Sequence, residues 1–416
     1  MTDSSPTIIC YELGSDEPPW TGSLESVHDD LHILHRLNDR RVIGLSMDGN
    51  HVEITGTDRV GLILLPSGRR LCIRSKVKSL VLLEWLVLVG EFPNIRHWIQ
   101  DHGVSVGDDL PECLARLFLL ELEKLTKNYL RREYMPVTSS SSTVRGRIQT
   151  TRLHRQLQHL PQIPIRYRTQ TLDTPANMVL AMALDRLPVL LPMKSLEDAR
   201  RLSSLQDQWA GIHRVSGGHA ALVAETQWAR PPGYASALQL ARLILMGASP
   251  TDAGGHGGQV FTVSMASIWE RGIRKIFEGL APATGWASAP SSDRTRAWDD
   301  SANTHDPNRW LTVDILLSHE GKRWALDTKY KTHFGHEHRT DRFQMCAYAL
   351  AFNASKATLI YPTAQTVGQH RTLLHTTVGN VDITVDSIEL PMWMGPSECR
   401  KCLATYSQPS LEQLAQ

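Results

Sequence analysis

Short apolar or alternating runs punctuate the first part of the chain, at residues 8–11, 52–54, 61–65 and 71–74, with Gly, Asp, Asn and Ser between them. Runs of that length bounded by turn residues predict strands, so residues 1–105 read as a β-rich unit. Inside it Leu24, Val27, Leu31, Leu34 and Leu37 recur at three- and four-residue steps, the spacing of one helical face. A second helix is predicted over 80–89. From 106 to 250 the period lengthens: Leu114, Leu117, Phe118, Leu122, Leu125 and Tyr129 form a stripe, and 176–187 and 234–246 repeat it. This predicts a mainly helical middle, interrupted by the polar tract 139–142 and by an alternating strand at 163–169.

The glycine-rich stretch 254–258 marks a domain boundary. Beyond it, in a third domain at 259–416, the pattern gives a helix (263–280, with Trp269, Ile273, Ile276 and Phe277 on one face). Two strands follow (311–318 and 323–330), then a helix (341–352) and a strand (357–361). The loose, Ser- and Pro-containing segment 281–308 reads as a surface insertion.

The two strands are joined by His319-Glu320-Gly321-Lys322, a turn sequence that predicts a hairpin. Pairing across it sets Asp314 opposite Asp327 and Thr312 opposite Lys329, with Val313, Ile315, Leu317, Trp324 and Leu326 turned to the core. Directly opposed residues have Cβ atoms about 4.5–5.5 Å apart, so two such carboxylates repel unless a cation lies between them. Mg²⁺ fits, because it takes only a couple of carboxylates and keeps water and phosphate oxygens as its other ligands; Mn²⁺ is the other candidate. Lys329, on the same face, is placed to orient a water or to stabilise charge on a phosphoryl group. Glu270 is a candidate third metal oxygen, and Gln344 a candidate contact to metal-bound water or DNA backbone. An exposed edge strand whose aspartates pair with lysines would show the same spacing.

Composition narrows the partners. The 416 residues carry 44 Lys and Arg against 43 Asp and Glu, a net charge of +1, so no global basic field holds nucleic acid and any DNA contact is local. With 41% hydrophobic and 21% charged residues the chain is of globular type. The most apolar stretch, 80–89, is broken by Glu84 and is shorter than a membrane span of about 20 residues. No secretory leader pattern opens the chain, and its six cysteines are scattered, so a cytoplasmic location with reduced thiols is expected.

Glu270, Asp314, Asp327-Thr-Lys329 and Asp341-Arg-Phe-Gln344, in that order of elements, resemble the PD-(D/E)xK nuclease superfamily. The continuation Tyr330-Lys331 resembles the McrC family of 5-methylcytosine restriction systems. Segment 61–77, Arg145-Gly-Arg147-Ile148 and Asp173-x-x-x-Asn177 are similar to the same family, and Val313 stands where the superfamily usually has proline. The resemblance implies an α+β or α/β, multidomain chain: a β-rich N-terminal docking unit, a mainly helical adaptor and a restriction-endonuclease-like αβββαβ core. It implies a Mg²⁺-dependent endonuclease subunit, with Asp314, Asp327 and Glu270 at the metal and Lys329 and Gln344 in catalysis. The implied partners are a McrB-like AAA+ GTPase ring, whose hydrolysis the subunit stimulates, and double-stranded DNA with modified cytosine. GTP belongs to that partner, since this chain has no Gly-x-x-x-x-Gly-Lys-Ser/Thr loop. A non-catalytic GTPase-activating adaptor and a nuclease effector of another defence system are the alternatives.

Arg145 and Arg147 suit contact with the partner's nucleotide site or with phosphate, or a local carboxylate. Cys399 and Cys402 have the spacing of half a zinc site without a second pair downstream, and His333, His336 and His338 read as a polar loop.

Overall fold

The computed structural model describes residues 7–90, 109–128, 130–153, 162–191, 196–214, 233–247, 260–280, 286–297, 310–331, 339–366, 368–378 and 381–415. Where the sequence pattern suggested three consecutive domains, the chain makes two compact units, 1–110 with 252–416, and 111–251.

The first unit opens with β1 (Thr7–Tyr11), β2 (Trp20–Ser23), α1 (Leu24–Val27), α2 (Leu31–Asp39), β3 (Ile43–Asp48), β4 (His51–Gly56), β5 (Arg59–Leu64), β6 (Arg70–Arg74) and α3 (Ser79–Gly90). Ile33, Leu34 and Leu37 turn one face of α2 onto Ile8, Val52, Ile54 and Leu71, which forms the local core. β2, β4 and β3 make one sheet; β1, β6 and β5 make another, with β1 and β6 parallel.

The second unit holds α4 (Leu110–Lys127), β7 (Glu133–Ser141), β8 (Arg147–Ile148), α5 (Thr150–Leu153), β9 (Ile163–Thr171), α6 (Pro175–Leu184), α7 (Leu187–Leu190), α8 (Leu196–Trp209) and α9 (Ala235–Gly247). Helices dominate, as the periodicity predicts. Residues 139–141 of the polar tract lie in β7, which pairs with β9 from Glu133↔Thr171 to Ser141↔Ile163, and β8 adds to the other edge. Buried Asn177 ties the sheet to the helices, donating to the carbonyls of Arg131 and Leu172 at 2.9 and 2.8 Å.

The chain returns to the first unit through β10 (Val260–Ser264), which completes the N-terminal sheet by pairing antiparallel with β5. Gly61 is required there: its φ is +149°, and a Cβ would stand 2.0 Å from the Phe261 carbonyl oxygen. This pairing, invisible to local periodicity, joins the segments that the sequence pattern separates. Next come α10 (Met265–Leu280), β11 (Ala287–Ser288), β12 (Thr295–Ala297), β13 (Trp310–Thr312), β14 (Ile315–His319), β15 (Lys322–Thr328), α11 (Arg339–Ala351), β16 (Lys356–Pro362), β17 (Gln369–Val378), β18 (Val381–Leu390) and α12 (Pro396–Ala415). The described part of 281–308 is thus partly sheet: β11 pairs with β14, and β12 with β13.

The six-stranded sheet runs β11-β14-β15-β16-β18-β17, with β15, β16 and β18 parallel at its centre. Both faces are covered. Leu316, Ala325, Ala357 and Leu359 pack with Met345, Tyr348 and Ala349 of α11. Trp324, pointing the other way, meets Phe277 of α10 and Tyr406 of α12 at ring distances of 6.0 and 6.1 Å. β16 is buried along its whole length, as expected of a central parallel strand. The helices α3 and α10 cross closely: Trp85 stacks edge-on to Trp269 at 5.4 Å and donates to the Met392 carbonyl at 3.0 Å.

Candidate active site

The hairpin closes on a two-residue turn, Glu320 and Gly321, both with positive φ (47° and 82°), as a type I′ turn requires. Its ladder pairs Ile315↔Leu326 through His319↔Lys322, the register expected from the sequence. The predicted first strand is broken, however: the chain bends at Val313 and Asp314, and Trp310–Thr312 pairs with β12 in place of continuing toward Lys329. Asp314 therefore sits just beyond the last ladder pair, and its Oδ2 accepts from both the amide and the hydroxyl of Thr328, at 2.7 Å each. That double contact fixes Asp314 beside the end of β15, where Asp327 lies.

Asp327 is 3% exposed, on the face of β15 that looks toward α11. Burial first, and then the negative charges of Asp314 and Asp341, push its carboxyl up to about 6, against the pull of Lys329. Lys329 Nζ stands 2.6 Å from Asp327 Oδ2, yet that buried oxygen completes no hydrogen bond of full geometry. The Lys329 amide donates to the Ile360 carbonyl at 2.9 Å, continuing the parallel pairing with β16. Asp314, Asp327 and Lys329 are thus brought together at the carboxyl ends of the central strands, where open α/β sheets form their crevices.

The two helical candidates take other places. Glu270 Oε1 is held by Arg274 Nη2 at 2.5 Å. Arg274 and Arg294 both donate to the backbone carbonyl of Asp314, at 3.2 and 2.6 Å, so Glu270 is linked to the Asp314 backbone through a guanidinium. Burial and the adjacent Arg274 hold Arg294 below its usual range. Gln344 donates to the Tyr348 hydroxyl at 2.6 Å, which in turn donates to the Thr312 carbonyl at 2.8 Å. Burial and the charge of Asp327 push Tyr348 up to about 12, so it stays a donor. Asp341, in the first turn of α11, accepts from Lys331 at 2.5 Å and from the Tyr361 hydroxyl at 2.9 Å.

Sequence reasoning missed Arg274, Arg294, Tyr348 and Tyr361. The arginine four residues after Glu270 was readable as an i,i+4 ion pair; the others meet only through tertiary packing. Among the described residues no group of three or more His, Cys, Asp or Glu side chains is arranged to hold a metal ion. The pair Asp314 and Asp327 nonetheless fits a small hard cation: both donors are carboxylate oxygens, and Asp327 Oδ2, buried, has the Lys329 ammonium beside it but no hydrogen bond of full geometry.

The other motifs separate. Arg145 and Arg147 are exposed in the second unit, on or beside β8, which pairs Arg147 with Arg166 of β9. Asp173 accepts from the His213 amide at 2.7 Å. Cys399 is buried and its thiol is raised well above the usual range by burial; both it and Cys402 are free thiols. The histidine loop 333–338 lies outside the described residues. No helix among the described residues is long and apolar enough to cross a membrane.

Comparison with known proteins agrees with the motifs. The fold is similar to that of a chain in the refined half-complex from the tetradecameric assembly of Thermococcus gammatolerans McrB AAA+ hexamers with bound McrC. The two share 14% identity at a TM-score of 0.66, over 96% of this chain and 100% of that one. A chain of the cryo-EM structure of the Thermococcus gammatolerans McrBC complex matches at 16% identity and a TM-score of 0.45, over 65% of this chain and 87% of that one. No curated protein sequence matches. The family described as McrBC 5-methylcytosine restriction system component matches residues 54–362, about three quarters of the sequence, and the chain belongs to that family.

Proposed function

We propose that the chain is the McrC-type, Mg²⁺-dependent DNA endonuclease subunit of a modification-dependent restriction system, with a PD-(D/E)xK core formed by α10, β14, β15, α11 and β16. The observation that carries this reading is the convergence of Asp314, Asp327 and Lys329 at the strand ends, in a chain of the McrBC family. Asp314 and Asp327 would hold the cation, which when bound supplies the charge that polarises a phosphodiester and acidifies water. Lys329 orients the attacking water and stabilises charge on the phosphoryl oxygens. Thr328 keeps Asp314 in place, and Tyr348, held by Thr312 and Gln344, walls the site on the α11 side.

The partner in this reading is a McrB-like AAA+ GTPase ring, which binds GTP and whose hydrolysis the subunit stimulates, and the substrate is double-stranded DNA carrying 5-methylcytosine. The tie between Glu270 and Arg274 also suits a second reading, a GTPase-activating adaptor that cuts nothing, because it engages the Glu270 carboxylate with a guanidinium. Cleavage of methylated and unmethylated DNA with the partner GTPase, GTP and Mg²⁺ separates them. Methylation-dependent cutting that Asp327→Asn abolishes, with GTP turnover still stimulated, supports the nuclease; equal stimulation without cutting by either protein supports the adaptor.

A further inference from the structure

Tyr330 follows Lys329 by one residue, and its hydroxyl is buried against the N-terminal sheet. Facing it is the carboxylate of Glu12, 1% exposed, in the segment directly after β1. Glu12 is itself anchored at the neighbouring end of β6: its Oε2 accepts from the Ser75 hydroxyl at 3.3 Å and the Lys76 amide at 3.2 Å. Lys76 Nζ lies 3.8 Å from Glu12 Oε1, donates to the Leu13 carbonyl at 2.7 Å, and stands 5.6 Å from the centre of the Tyr330 ring. The carboxyl ends of the parallel pair β1 and β6 therefore abut the end of β15 that carries Asp327 and Lys329. A second tie lies alongside, where Asp58 accepts from the Met265 amide and the Ser264 hydroxyl, both at 2.8 Å, at the start of the helix bearing Glu270.

Neither Glu12 Oε1 nor the Tyr330 hydroxyl completes a hydrogen bond of full geometry. A junction serving cohesion alone is made more cheaply from apolar side chains, because a buried carboxylate loses hydration that an incomplete partner set does not return. The hydrogen bonds that Glu12 Oε2 accepts from the Ser75 hydroxyl and the Lys76 amide do fix the direction in which the carboxylate faces Tyr330, which an apolar contact does not. We propose that Glu12 is a positioning residue for the candidate active site, acting through Tyr330 to fix the strand end that holds Asp327 and Lys329. This rests on the reading of that pair as the catalytic one, and it makes the N-terminal sheet part of the active-site frame.

Two amides report directly on that strand end: Thr328, which donates to Asp314, and Lys329, which donates to Ile360. Hydrogen exchange at these amides is measured in wild type, Glu12→Gln, Tyr330→Phe and the double variant, all near-isosteric, with the amides of β18 as the internal reference. Each single variant is expected to speed exchange at 328 and 329 by about tenfold with β18 unchanged, and the double variant to do no more, since both act on one contact. Unchanged exchange at 328 and 329, or equal acceleration in β18, overturns the proposal. With the partner present, Glu12→Gln is expected to lower kcat for DNA cleavage and leave KM for DNA unchanged. A wild-type chain that stimulates the GTPase and never cuts removes the nuclease reading, and the exchange result then decides the positioning role by itself.

Discussion

The six-stranded sheet of the first unit and the three-stranded sheet of the second are held by different means. In the first, Ile315, Leu317, Trp324, Ala325 and Leu326 are all fully buried, and helices cover both faces. In the second, β7 has no buried residue and β9 buries only Pro164 and Ile165; Tyr134 and Met135 are 62% and 47% exposed. Its order comes from a nine-residue backbone ladder. Packing fixes the side chains of the first sheet, which is what a site needing carboxylates at set positions requires. The second leaves its side chains unconstrained by a core, and Arg147, Arg166 and Arg168 project from it into solvent.

That contrast is broken or sharpened most strongly at the strand ends. Replacing Lys329 by Met is expected to lower partner-dependent DNA cleavage by about 10²–10⁴-fold, the usual cost of losing one acid-base or charge-stabilising group. Because Asp327 is buried beside this ammonium, the same variant should also lose up to about 3 kcal/mol in urea unfolding. Lys329→Arg, which keeps the charge, should hold the midpoint near wild type while cleavage still falls, and full cleavage by it would mean that the lysine serves cohesion instead. Next in size is a paired truncation: Trp324→Ala should cost about 3–5 kcal/mol, as large-to-small changes in packed cores do. Tyr134→Ala in β7 should stay within about 0.5 kcal/mol. Equal losses in urea titrations would erase the difference between the sheets.

A subtler case lies inside the larger sheet. Asp386, 2% exposed, takes Lys356 at 3.2 Å and the Tyr406 hydroxyl at 3.1 Å, with His370 3.4 Å away. Lys356→Met alone should cost about 3 kcal/mol by leaving that carboxylate undercompensated, and adding Asp386→Asn should recover part of it. The smallest effect on stability is expected in the small sheet: Arg145→Glu with Arg147→Glu should shift unfolding by no more than about 0.5 kcal/mol. GTPase stimulation of the partner should nevertheless fall, and full stimulation would remove these arginines from the contact.

Local features were the legible ones. The hairpin register followed from Gly321 and from the alternation on either side of it, both within a few residues of the turn, whereas the break at Val313 and Asp314, which takes Asp314 out of the ladder and onto Thr328, was not readable. The helix stripes of α2, α4 and α10 were readable, like the register, from nearby residues. What stayed hidden depends on distant partners. β10 joins β5 because Gly61 admits Phe261, and no periodicity announces that. β7 escaped notice because serines and threonines give an exposed ladder no apolar alternation. The ion pair that Glu270 makes with Arg274, one turn on, was readable from the i,i+4 spacing, whereas the reach of Arg274 to the Asp314 carbonyl was not. Glu12 and Tyr330, far apart in sequence, meet only when the N-terminal sheet is built.

The return of the chain through β10 also orders events in time. During synthesis β5 emerges as a strand whose β10 neighbour lies about 200 residues downstream, which at about 5–20 residues per second is a wait of roughly 10–40 s. For that interval the edge is an open ladder of amides and carbonyls, the kind of surface that recruits stray strands and chaperones. The inserted second unit can acquire its fold meanwhile, so the last unit to mature is the one begun first. Nascent-chain lengths that stop short of residue 260 should therefore carry a folded insert on an unfinished platform.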